Sequence, residues 1–78
     1  MTNDKIAHDT YRKLLYFFEN KLLVHFKDFS GVFYNGEIID LNEKKLTLVL
    51  DERVKGMMPL LLEQINPETI FLFKEGKA

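Results

Sequence analysis

The stretch that decides the fold is "GVFYNGEIIDLNEKKLTLVLDE", residues 31–52. Two runs of strand-forming residues flank the polar break "NEKK" (42–45). Period-two reading puts Tyr34, Gly36 and Ile38 on one face of the first run, and turns Leu46, Leu48 and Leu50 inward on the second. A glycine inside a strand forfeits side-chain packing, so Gly36 needs a reason. Two reasons fit. A long strand can fold over at a central glycine and serve both halves of a small barrel, or the glycine can mark a bulge in an open sheet. The bend is the favoured reading.

Working outward from this stretch, "KLLVHFK" (21–27) places Leu22, Val24 and Phe26 on one face and Leu23, His25 and Lys27 on the other. "DFSG" (28–31) has the Asp, Ser and Gly of a tight turn. Upstream, Ala7, Tyr11, Leu14, Leu15 and Phe18 recur at helical spacing. They predict an amphipathic helix over 5–19, with Asp4 or Asp9 as N-cap and Asn20 as stop. Downstream come a loop, "RVKG" (53–56), and a fourth strand, "MMPLLLEQI" (57–65). Pro59 sits near the start of that strand, where a missing ladder donor is tolerable. "NPE" (66–68) reads as a turn, "TIFLFK" (69–74) as a fifth strand and "EGKA" (75–78) as a frayed tail. The expected fold is mainly β: an N-terminal helix, then a strongly bent five-stranded antiparallel barrel, in one domain over 1–78.

The bulk numbers agree. The 78 residues are 46% hydrophobic and 29% charged, the composition of one small globular domain and not of a disordered chain. With no Cys, neither a disulfide nor a thiolate site exists. Eleven basic residues against twelve acidic ones leave a net charge of −1. That balance argues against a sequence-independent grip on phosphate backbone over the whole surface. No apolar leader segment opens the chain, and "MMPLLL" falls far short of the roughly 20 residues that cross a bilayer. A cytoplasmic protein with no membrane contact is expected. Neither a Gly-rich phosphate loop, nor a Cys nucleophile, nor a believable Asp-His-Ser order is present, so no enzyme and no cofactor is expected. His25, outward-facing and without a second His or Cys nearby, is not a metal site. Asp40, Asp51 and Glu52 read as solvated acids at strand ends.

The order of helix, bent second strand, turn, third strand, loop and closing pair resembles the Sm and Sm-like (LSm) family, in particular its archaeal type, over nearly the whole chain. "NKLLVHFKD" (20–28), Gly36 with Ile38, Leu41 with Asn42, then Thr47, Leu48 and Leu50, and "INPETIFLF" (65–73) carry the resemblance. It requires two extra residues in the "DFSG" turn and one in "NEKK". It implies single-stranded RNA as partner, bound by the turn between strands two and three and the turn between strands four and five. The implied RNA-binding residues are Asn42, Lys44 or Lys45, Thr47 and Asn66. These depart from the family's pattern. Lysine contacts phosphate but does not stack as a ring does, Thr47 has a hydroxyl in place of an amide, and Asn66 lacks an Arg fork. Lys44-Lys45 also has a plainer reading as a solvated turn.

Leu60, Leu61 and Leu62 are consecutive, as are Ile70, Phe71, Leu72 and Phe73. Strands apolar on both faces are normally buried on both, and one helix covers only part of so small a barrel. A homo-oligomer is therefore expected. The resemblance implies a hexamer or heptamer ring in which the fourth strand of one copy pairs with the fifth of the next, removing two exposed edges. Repetition around a ring would concentrate Lys44 and Lys45 at one opening. The alternative is a protein-interaction or scaffold module with a protein partner, which keeps the assembly strands and lacks the nucleotide pocket.

Overall fold

The computed structural model describes residues 2–73, with side chains from residue 5. Helix α1 spans Thr2–Glu19. It starts ahead of both Asp4 and Asp9, so neither is its N-cap. Its apolar stripe is the predicted one: Ala7 and Leu14 are buried, and Tyr11, Leu15 and Phe18 are half-buried. The helix ends at Glu19 as expected, but Asn20 is not the left-handed residue. Lys21 takes the left-handed conformation (φ 54°). The Lys21 N–H bonds to Phe18 O and the Leu22 N–H to Phe17 O, the paired closure that satisfies a helix's last carbonyls.

Five strands follow: β1 (Leu23–Asp28), β2 (Phe33–Asn42), β3 (Thr47–Glu52), β4 (Gly56–Leu61) and β5 (Ile65–Leu72). They form one antiparallel sheet in the order β4-β3-β2-β1-β5. The sheet is not closed into a barrel: among the described residues no ladder joins β4 to β5, and these two strands are its edges.

Strand β2 does serve two partners. Residues 33–37 pair with β1, and residues 36–42 pair with β3. Gly36 lies in the overlap, opposite Val24 on one side and Glu52 on the other. A Cβ built there would sit 2.1 Å from the Asp51 carbonyl oxygen. Close strand approach, not an unusual φ, is what requires glycine. The bulge is a separate feature nearby, where the register shifts between Ile38 and Asp40.

The inner face carries the core. Val24, Phe26, Tyr34, Ile38, Leu48, Leu50, Leu62 and Ile65 are buried together with Ala7 and Leu14 of the helix. Each large side chain so buried contributes about 1.5–3 kcal/mol relative to exposure. Helix α1 closes this face, packing on β2, β5 and the turn between β4 and β5. Leu46, expected to begin a strand, is instead the last turn residue before β3, with φ 55°; it still packs against the core.

The C-terminal boundaries differ most. Strand β4 ends at Leu61, and a 3-10 turn over Leu62–Gln64 makes the connection. Asn66–Glu68, expected as that turn, lies inside β5 at a shift in the β1–β5 register. The local turn chemistry is nonetheless there, since Asn66 Oδ1 accepts the Glu68 N–H (3.1 Å). Where the ladder is interrupted, the Thr69 hydroxyl accepts the Lys27 N–H at 2.8 Å in place of a carbonyl.

Candidate RNA interface and assembly edges

Four of the five residues implied in RNA contact share the β2–β3 turn. Asn42 and Thr47 are the last paired residues of the ladder, and Glu43–Leu46 connect them. The Asn42 side chain is already engaged: its Oδ1 accepts the Lys45 N–H at 2.8 Å, closing the turn on itself. Lys44 and Lys45 project into solvent beside the equally exposed Glu43. Thr47 is half-buried at the turn's base. The turn as built offers two exposed ammonium groups and one remaining amide N–H₂, a surface suited to phosphate and not to a base edge.

Asn66 lies elsewhere. It faces Lys27 across the β1–β5 ladder and lines a cleft of about 340 Å³ with Ile6, Asp9, Phe29, Pro67 and Glu68. Two of the six wall residues are acidic, which disfavours an anion there. The Lys13 ammonium donates to the Pro67 carbonyl at 3.1 Å and ties the helix to this wall. None of the four β2–β3 turn residues lines this cleft. The Leu62 N–H bonds to Leu46 O at 2.9 Å, tying the β2–β3 turn to the β4–β5 connection.

Two carboxylates are anchors: Glu52, expected as a solvated acid at a strand end, and Asp28 of the predicted "DFSG" turn. Glu52 is only 5% exposed. Its Oε1 accepts the Val54 and Lys55 N–H groups, each at 2.8 Å, and its Oε2 accepts the Asn35 N–H at 3.1 Å. It thereby holds the β3–β4 loop against β2. Asp28 does the same for the β1–β2 turn: Oδ1 accepts from the Ser30 and Val32 N–H groups and Oδ2 from the Tyr34 hydroxyl. Burial works to raise both pKa values, but the N–H donors outweigh it and hold both carboxyls below their ordinary range. Tyr34 is pushed upward by burial and by its bond to the Asp28 carboxylate. Asp40 and Asp51 are exposed, as expected.

The edges are the other notable feature. Leu61 is extended, and the Leu62 N–H points into the sheet at Leu46. Alternation therefore turns the backbone groups of Met57, Pro59 and Leu61 outward, away from β3. Pro59 lies in mid-strand with its missing donor on the free side, so it costs the β3–β4 ladder nothing. Met57 (63% exposed) and Leu61 (45%) line this edge; Phe71 (61%) and Leu72 (47%) line the edge at β5.

Sequence reasoning placed His25 outward but missed its setting. Its Nδ1 donates to Asn35 Oδ1 at 2.5 Å. Its ring stacks on Phe33 with centroids 5.4 Å apart and planes 23° from parallel. Carrying the period-two pattern through Phe33 and Phe71 would have found this row, since both fall on the outward face. Among the described residues no cluster of His, Asp and Glu could hold a metal ion, and no helix is long and apolar enough to cross a membrane. No family model, curated protein or solved structure matches this chain.

Proposed function

We propose that the protein is a self-assembling subunit of the Sm-like kind, closing a ring by pairing β4 of one copy with β5 of the next. The ring presents its β2–β3 turns to single-stranded RNA. The observation that carries this reading is the strand order β4-β3-β2-β1-β5, which leaves two complementary edges, each bearing exposed apolar side chains. Neighbouring copies would complete each other's sheets and cover Met57, Leu61, Phe71 and Leu72 at once. Lys44 and Lys45, repeated around the opening, supply the phosphate contact, with Asn42 and Thr47 as the polar groups beside them and Asn66 apart in its acidic cleft. Because Asn42 already caps its own turn, this contact is electrostatic and weak in base preference.

The test is binding of a labelled oligouridine, against oligoadenine, at low and moderate salt. Lys44→Ala with Lys45→Ala should weaken binding and flatten its salt dependence, and Asn66→Ala should change it much less. Absence of binding at low salt would leave the second reading, a scaffold whose free edge takes an extended segment of another protein. The acidic wall around Asn66 favours that second reading.

A further inference from the structure

The outer face of β2, β1 and β5 carries a feature that the β2–β3 turn does not use and that edge pairing reaches only at Phe71. The ladders fix its layout. Phe71, His25 and Asn35 form one cross-strand row, and Asn66, Lys27 and Phe33 form the next. Phe33 is 56% exposed and Phe71 is 61% exposed, on either side of the His25 ring. The hydrogen bond to Asn35 fixes that ring, and Phe33 stacks on it. Lys27 holds its ammonium 5.2 Å from the Phe33 ring centre. Neither row contains a carboxylate or an aliphatic side chain; Glu37 lies one row further along opposite Leu23, and the Glu52 carboxylate accepts the Asn35 N–H at 3.1 Å.

We infer that this face is a binding platform for single-stranded nucleic acid. A surface made for another protein's apolar side chains would be expected to mix aliphatic groups with its rings. This one offers flat rings, a cation and an amide. Those are the groups that stack bases, contact phosphate and bond to base edges. The acid-free rows make the platform locally cationic although the chain as a whole is not. Lys27 is positioned by its contact with Phe33, so ring and cation are presented together. The platform is complete within one chain and needs no assembly. RNA and DNA share the stacking and phosphate chemistry, and the 2′-hydroxyl is the only group that would separate them.

The test is fluorescence anisotropy with labelled single strands of about 12 nucleotides, RNA and DNA, and the matching duplex. It is run at roughly 50 mM salt, where phosphate contacts are strong. Wild-type protein should bind both single strands and bind the duplex far more weakly. Phe33→Ala should weaken single-strand binding roughly five- to hundred-fold, the loss expected for one stacked base, and Phe33→Tyr should restore it. Phe33 lies on β2, remote from both edges, so this variant leaves assembly untouched. In an NMR titration the His25 ring signals should shift on adding the single strand. Unchanged affinity in a folded Phe33→Ala protein, unmoved His25 signals, or no single-strand binding by the wild type would each overturn the inference. Loss confined to Lys44→Ala/Lys45→Ala would also overturn it while leaving the β2–β3 turn as the RNA contact. Loss in Phe33→Ala alone would support the platform and count against the turn.

Discussion

The meeting of β2 and β3 and the two edges of the same sheet are built on opposite terms. At Gly36 the strands approach until a single methyl group would collide with the Asp51 carbonyl, and the adjacent Glu52 has three backbone donors on its two oxygens. At β4 and β5 the backbone faces outward without a ladder partner, and large apolar side chains stand in solvent. The centre is saturated and the periphery is open. Substitutions should therefore separate cleanly, those at the centre changing stability and those at the edges changing association.

The largest effect is expected at Gly36. Gly36→Ala forces β2 and β3 apart and should cost about 3 kcal/mol or more, because the atoms in the way are backbone and cannot rotate aside. Chemical denaturation would measure it, and a loss below about 1 kcal/mol would mean that the strands are less closely held. Glu52→Ala comes next. Val54 and Lys55 are exposed and can be rehydrated, so the cost is mainly the half-buried Asn35 N–H, about 1–3 kcal/mol.

The same carboxyls set the acid limb of stability. Asp28 and Glu52 are held below their ordinary values when folded. Their contribution is complete above the unfolded-state pKa, near 4, and is lost as pH falls through the depressed folded values. Thermal midpoints should fall below about pH 4, and Glu52→Gln should flatten that decline. A smaller change is expected at the end of α1. Lys21→Gly relieves a left-handed φ at an exposed position and should stabilise by about 0.5–1 kcal/mol, raising the thermal midpoint. Smallest of all for folding are Met57→Lys with Leu61→Lys, expected within about 0.5 kcal/mol of wild type.

Much of the inner face was legible in the sequence because alternation and helical spacing report burial directly. Val24, Phe26, Tyr34, Ile38, Leu48 and Leu50 all fell where period two put them. The C-terminal part was harder to read. "MMPLLLEQINPETI" is apolar on both faces, so periodicity could not say where β4 stopped, and Asn66-Pro67 signalled a turn that the chain uses as a bulge. Glu52 looked like a surface acid because its Asn35 donor arrives only through long-range pairing, and its two local donors, Val54 and Lys55, reach it only once the β3–β4 loop folds back over it. The "NEKK" break was seen as the turn between β2 and β3, one residue early, yet no pattern within the chain shows that Asn66 stands in a separate acidic cleft.

The most direct test is the mass of the native particle. Native mass spectrometry of the wild-type protein should give a closed assembly of six or seven copies, and Met57→Lys with Leu61→Lys should reduce it to folded single chains of unchanged secondary structure. A wild-type protein that remains a single chain at high concentration, or an edge variant that assembles as the wild type does, would contradict the proposal that β4 and β5 are mating edges.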